Sequence, residues 1–143
     1  MHKFITTAVL TLAASAAVAG TLEVTVQNIE KDGIMHIGVY ENETVFENDR
    51  ARPQDKPAKY GVIEEVKVND EGTATFTVKV PDGVYAVGIY NDENRNEKLD
   101  TNFFGIPKEQ YGFSNNPKVL GIPKFEQSAF EVKGDTKTTV VLK

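Results

Sequence analysis

The chain has 143 residues, a formal net charge of −5 and no cysteine. Its length suits one domain that buries its own core, and the lack of cysteine excludes disulfides and cysteine-based catalysis or zinc sites. Because the basic residues are scattered through an acidic chain, the composition also argues against binding of nucleic acid or anionic membranes.

The N-terminus has the pattern of a secretory signal peptide. Lys3 supplies the positive charge, Phe4 to Ala14 form an apolar core, and Ala17-Val18-Ala19 are the small residues of a cleavage site. The apolar run is too short and too rich in small residues to anchor the chain in a membrane. We therefore predict that residues 1–19 are removed on export to the periplasm or the cell exterior. Residues 20–143, or 143 − 19 = 124 residues, would then form one soluble β-sandwich domain.

Alternation of apolar and polar residues predicts strands along most of the remaining chain. The clearest example runs from Thr73 to Val80, where every second residue is apolar. Turn signals at Lys31-Asp32-Gly33 and Lys133-Gly134-Asp135 predict that the first two and the last two strands form hairpins. The predicted strands cover residues 21–28, 34–40, 60–68, 73–80, 83–90, 129–132 and 138–142.

This pattern of about seven short strands predicts an all-β protein. The expected architecture is a single antiparallel β-sandwich with Greek-key connections, immunoglobulin- or transthyretin-like, with one long structured loop. A β-barrel is the alternative. Residues 41–59 are polar apart from a few positions such as Val45 and Phe46, and they are predicted to cross between the layers with a short helical turn.

The long loop runs from Asn91 to Phe125. Loops of more than about 12–15 residues are uncommon in compact domains and are usually functional or disordered. Disordered segments are poor in aromatic residues. This loop contains five, which predicts that it is ordered and carries the functional surface: Phe103, Phe104, Tyr111, Phe113 and Phe125.

The start of the loop resembles a calcium-binding loop in its spacing. Side-chain oxygens at alternate positions, with a backbone carbonyl at the seventh, can converge on one Ca²⁺ ion. Glu97 replaces the usual glycine and Phe103 the usual acidic residue, although a glutamate such as Glu109 could substitute. The alternative is an Asn/Asp-rich turn capped by its own side chains. The predicted ligands at positions one, three, five, seven and nine are Asp92, Asn94, Asn96, Lys98 and Asp100.

The second half of the loop is predicted to contact a partner. Gly105-Ile106-Pro107-Lys108 recurs as Gly121-Ile122-Pro123-Lys124, which could frame a groove for a protein, peptide or glycan. The alternative is two similar bends that fold the loop onto the sandwich. The residues assigned to this interaction surface are Glu109, Tyr111, Phe113, Ser114, Asn115 and Asn116.

Signals for catalysis are weak. Beyond the predicted signal peptide, His36 is the one histidine, and Ser114 does not lie in a nucleophile-elbow motif. Asp100 and Glu109 could serve as a carboxylate pair in a hydrolase. A carrier of a small apolar ligand between the sheets is a further alternative. The preferred interpretation is a non-catalytic exported binding module.

The sequence D-E-N-R-N-E-K-L-D-T-N-F-F-G-I-P-K-E-Q-Y-G-F-S-N-N, residues 92–116, resembles the signature of an uncharacterised family of exported bacterial proteins, domain of unknown function 2141. The likeness continues into G-I-P-K-F-E-Q-S-A-F at residues 121–130. Family members show His before the Asp and glycines within the turn, where this chain has Asn91, Arg95 and Glu97. The resemblance implies a small exported β-sandwich and no established reaction.

Overall fold

The structure is a computed structural model that describes residues 20–49, 58–96, 103 and 107–143. The predicted signal peptide and the middle of the predicted crossover, residues 50–57, lie outside the described residues.

Eight strands and two short helices lie in the described part of the chain. All seven predicted strands are present, and the helical turn predicted at Val45 and Phe46 is α1. The sequence did not predict β6, a short strand inside the long loop. The elements are β1 (Gly20–Gln27), β2 (Gly33–Tyr40), α1 (Glu43–Asn48), β3 (Tyr60–Val66), β4 (Ala74–Val80), β5 (Gly83–Asp92), β6 (Tyr111–Phe113), α2 (Phe125–Ser128), β7 (Phe130–Val132) and β8 (Thr136–Val141).

The strands form two sheets, which confirms a mostly-β, two-layered fold. One sheet has the order β4-β1-β8, and the other has the order β3-β2-β5-β6, with β7 also paired to β5. The inward side chains of both sheets share one buried core, so the sheets pack face to face. Leu22 and Val24 of β1 and Met35 and Val39 of β2 are each at most 1% exposed. Neither described helix has the length or apolar character needed to cross a membrane.

The predicted hairpins are wrong, and so is a purely antiparallel arrangement. β1 and β2 belong to different sheets, and so do β7 and β8. The physical reason is that both edges of β1 are occupied, by β4 on one side and by β8, in parallel, on the other. Both edges of β2 are likewise occupied, by β3 and β5. A turn signal indicates where the chain reverses, but it does not indicate which layer the next strand joins.

The outer face of the larger sheet carries a row of glycines. Because Met35, Ile37 and Val39 face the core, Gly38 faces outward, where it pairs with Gly61 on one side and Gly88 on the other. The ring of Tyr40 occupies the space that Gly38 and Gly88 leave open. A Cβ atom at Gly38 would lie 2.2 Å from the Tyr40 Oη, and one at Gly88 would lie 3.4 Å from the Tyr40 Cε2.

A second apolar cluster forms over this glycine row. The Phe46 ring of α1 makes edge-to-face contacts with Tyr40, Phe113 and Phe125, at centroid distances of 5.4, 5.9 and 6.1 Å. The Tyr40 hydroxyl donates a hydrogen bond to the Asp49 carboxylate just after α1. The glycine row therefore lets α1 and the returning part of the long loop pack directly on the sheet.

We expect Gly38→Ala to destabilise the protein, because the added methyl group would displace Tyr40. Overpacking of this kind costs about 1–3 kcal/mol, which exceeds the roughly 0.5–1 kcal/mol gained when Ala replaces Gly within a strand. In a Tyr40→Leu background the same change should be neutral or slightly stabilising. Urea unfolding of the four proteins of this double-mutant cycle measures the coupling. Equal destabilisation in both backgrounds would contradict the role given to Tyr40.

Candidate functional site

The long loop leaves the sheet at the end of β5 and returns at β6, and a row of buried rings lies at this base. His36, Tyr90 and Tyr111 occupy paired positions on neighbouring strands and share the outer face. The His36 and Tyr90 rings stack with centroids 4.4 Å apart and planes 12° apart. All three side chains are buried, so this end of the outer face is shielded from solvent.

Asp92 joins this row to the Asn-rich turn. One of its oxygens, Oδ2, lies 3.9 Å from His36 Nε2, and the other, Oδ1, accepts a hydrogen bond of 3.1 Å from the Asn96 N–H. Asn94 Oδ1 lies 3.3 Å from the same N–H. The structure thus brings three of the five predicted calcium ligands into one tight turn. Lys98 and Asp100 lie outside the described residues, so calcium binding stays a prediction.

The side chain of Glu109 lies beside the residues where the loop begins. Its Oε2 accepts a hydrogen bond of 2.6 Å from the backbone N–H of Glu93, and its side chain is buried. The carboxylate of Glu93 lies 3.7 Å from the Lys31 ammonium. The buried carboxylates of Asp92 and Glu109 therefore belong to the same small region. Among the described residues, no group of three or more His, Asp or Glu side chains is arranged to hold a metal ion.

Arg95 connects the Asn-rich turn to the edge strand β3. Its backbone φ is +58°, in the left-handed region that glycine adopts most readily. Its guanidinium donates a hydrogen bond of 2.8 Å to Glu65, and Lys67 lies 3.3 Å from the same carboxylate. The hydrogen bond from Arg95, followed by that from Lys67, lowers the pKa of Glu65. These groups are exposed, so the pair contributes little to stability.

Two buried amides fix the base of the loop to the β1–β2 connection. The Gln110 side chain donates to the Asn28 carbonyl at 2.7 Å and accepts from the Glu30 N–H at 2.8 Å. The Asn91 side chain donates to the Lys31 carbonyl at 2.8 Å. The sequence did not predict either role, because the partners lie 60 to 82 residues away in the chain.

Ser114, assigned from sequence to the interaction surface, is fully buried between β6 and β7. Its N–H donates to the Val87 carbonyl at 3.0 Å, and its Oγ accepts from the Val87 N–H at 2.9 Å. The same Oγ donates to the Ser128 carbonyl at 2.5 Å. Ser114 thus provides hydrogen-bond partners for the backbone groups of Val87, which lies on the edge of β5 between the residues paired with β6 and those paired with β7.

The other residues of the predicted interaction surface differ in exposure. Glu109 and Tyr111 are buried, Phe113 is half-buried, and Asn115 and Asn116 are exposed. Both asparagines have positive φ values, +65° and +46°. The Asn115 side chain donates to the Ala129 carbonyl at 2.9 Å. The Asn116 side chain donates to the Thr139 carbonyl at 3.0 Å and accepts from the Val141 N–H at 2.8 Å. Both side chains fasten the loop to the strands beside it.

Two apolar side chains of the loop point into solvent. Phe103 is 98% exposed and Leu120 is 81% exposed, the highest values among the large apolar residues that the structure describes. The sequence predicts Phe103 to be one of the ordered rings of the loop, and Leu120 carries no distinguishing sequence signal. Only their exposure in the folded chain distinguishes them from Phe113 and Phe125, which are half-buried.

We expect Ser114→Ala to destabilise the protein by about 1–3 kcal/mol, because it leaves the buried N–H of Val87 and carbonyl of Ser128 without this partner. Hydrogen exchange of the Val87 amide should accelerate. Ser128→Ala is a matched control, since the buried Ser128 Oγ has no hydrogen-bond partner among the described residues. Its removal should change the free energy of unfolding little. Equal losses in the two variants would contradict the bridging role of Ser114.

Comparison with known proteins places this chain in a family without a known activity. No curated protein matches it. A solved structure of the tip fimbrial protein Mfa3 from Porphyromonas gingivalis, with C-terminal truncation, is similar with a TM-score of 0.42 and 10% sequence identity. The match covers 85% of this chain and 48% of the fimbrial chain, so this chain spans about half of that protein's length. The model of the family described as "Uncharacterized protein conserved in bacteria (DUF2141)" matches residues 24–140, most of the sequence, and the chain belongs to this family.

Proposed function

We propose that this protein is an exported, non-catalytic binding module with an immunoglobulin- or transthyretin-like Greek-key sandwich. Residues 91–125 form its interaction surface, and a protein, peptide or glycan is the partner. The observation that carries this proposal is the exposure of Phe103 and Leu120 within a loop whose base is fixed by buried side chains. The N-terminal pattern at Lys3 to Ala19 supports export.

Two features of the loop together favour an interaction surface: exposed apolar side chains and a base held by buried hydrogen bonds. A single exposed apolar side chain is common on protein surfaces and indicates nothing by itself. Here the two most exposed ones belong to the same loop, and Gln110 and Ser114 anchor that loop through buried hydrogen bonds. A preorganised loop loses little conformational entropy on binding, so more of the apolar contact energy contributes to affinity.

We further propose that calcium braces the loop. The ligands would be Asp92, Asn94, Asn96, the Lys98 carbonyl and Asp100, with Glu109 as an additional carboxylate. Support comes from the turn that gathers Asp92, Asn94 and Asn96, and from the buried position of Glu109 beside the start of that turn. Ca²⁺ prefers such carboxylate and amide oxygens. The ion would fix the geometry of the loop and would take no part in chemistry.

A thermal melt tests the calcium proposal. At 100 times its Kd, calcium should stabilise the folded state by about 2.7 kcal/mol, which raises the Tm by roughly 5–15 °C relative to the chelated protein. Asp92→Asn should abolish the shift. Asp70→Asn, at an exposed aspartate in another turn, should preserve it. The absence of any shift in the native protein would mean that the turn is capped by its own side chains.

Binding to peptide and glycan arrays tests the proposed surface. We expect the Phe103→Ser/Leu120→Ser variant to lose about tenfold or more in affinity for the ligand that the native protein selects, since truncated contact residues commonly cost more than 1 kcal/mol. Its Tm should remain unchanged because neither side chain is buried. The matched control is Val68→Ser, at a residue that is 40% exposed and outside the loop. Native affinity in the loop variant would contradict the proposal.

A further inference from the structure

The two sheets have four edges, and an edge strand offers free N–H and C=O groups to any strand that approaches it. The smaller sheet ends at β4 and β8, and the larger one ends at β3 and at β6 with β7. Soluble proteins protect such edges with charged side chains (lysine above all), inward-pointing charges, short strands, bulges, prolines or covering elements. The four edges of this protein differ in how much of such protection they carry.

Three edges are protected. At β8, the Asn116 side chain bonds to the Thr139 carbonyl and the Val141 N–H. In β3, Glu64 pairs with the buried Met35, so a charged residue occupies a core-facing position at the edge. Glu64 therefore stands between Val62 and Val66 in the otherwise apolar set of inward positions of this strand. β6 and β7 have three residues each, too few to form a long template.

In the described part of the chain, the β4 edge carries one protective charge, Lys79, and none of the devices found at the other three edges. Its seven residues pair with β1 in continuous register from Ala74 to Val80, without a bulge or an internal proline. Its one charged residue is Lys79, which is exposed on the outer face. Among the described residues, hydrogen bonds to residues 74–80 come only from the pairing with β1. A segment with high β-propensity, low charge and a free edge is suited to pair with another strand.

We propose that β4 pairs in antiparallel register with β4 of a second copy of this chain, which forms a symmetric dimer. The strand is complementary to itself. In the register centred on Thr77, Thr77 faces its own equivalent, and Phe76 faces Val78 on the core side. Each Lys79 faces a Thr75, so no two like charges lie opposite each other in this pairing. The two three-stranded sheets would become one sheet of six strands around a twofold axis. This proposal is independent of the loop.

The register predicts opposite effects for two charges at the same position. Thr75 is exposed, and its partner within the chain is the neutral Thr25, so either charge should leave the fold intact. In the Thr75→Glu dimer, the new carboxylate would lie opposite Lys79 of the second copy at two symmetric places and attract it. In the Thr75→Lys dimer, the new ammonium would repel Lys79 at the same two places. Cross-strand charge pairs contribute roughly 0.2–1 kcal/mol each. Sedimentation equilibrium at low salt should therefore give a dimer Kd about 2- to 30-fold lower for Thr75→Glu and higher by a similar factor for Thr75→Lys.

The direction in which the dimer Kd changes for Thr75→Glu is the sharper test. An added negative charge on a protein of net charge −5 would otherwise oppose association and raise the Kd. Thr139→Glu and Thr139→Lys, on the covered β8 edge, are the controls: they change the net charge without facing Lys79, so Thr139→Glu should not lower the Kd and Thr139→Lys should not raise it. Circular dichroism confirms folding of each variant. A native protein that stays monomeric up to millimolar concentration would overturn the proposal. So would a dimer whose Kd changes in the same direction with both Thr75 variants.

Discussion

The packing of the long loop on the larger sheet depends on the absence of side chains at Gly38 and Gly88. The open space at these residues allows the Tyr40 ring to lie against the sheet, and the ring in turn contacts Phe46. Phe46 then provides the surface on which Phe113 and Phe125, both from the returning part of the loop, pack. A sheet face that would otherwise be open to solvent thus becomes a second core, smaller than the one between the sheets.

Much of the fold could be predicted from the sequence because strands with one buried face leave a period-two pattern. Thr73 to Val80 is the clearest case, and it corresponds to β4 to within one residue. The pairing of the strands could not be predicted in the same way. Adjacent strands change layer at the turns, and the contact of β1 with β8 joins opposite ends of the chain. β6 was missed because three residues are too few to show a period.

The candidate site was predictable to a similar degree. The spacing of Asp92, Asn94 and Asn96 correctly indicated a tight turn, because local side-chain bonds to the backbone depend on short separations. The roles of Gln110 and Ser114 depend on partners brought close only by folding, and a lone amide or hydroxyl carries no sequence signal for that. Glu64, an irregularity in the sequence, acquires a reason only when β3 is known to lie at an edge.

The parallel contact between β1 and β8 has a consequence for the order of folding. Thr21 and Asp135, joined by a hydrogen bond at this contact, are separated by 114 positions in the chain. Chain entropy opposes closure of so large a loop, and folds rich in such distant contacts form slowly. The smaller sheet can be completed only after nearly all of the polypeptide is available. For a protein that leaves the cytoplasm as proposed here, this delay would keep the chain unfolded and able to pass through a narrow export channel.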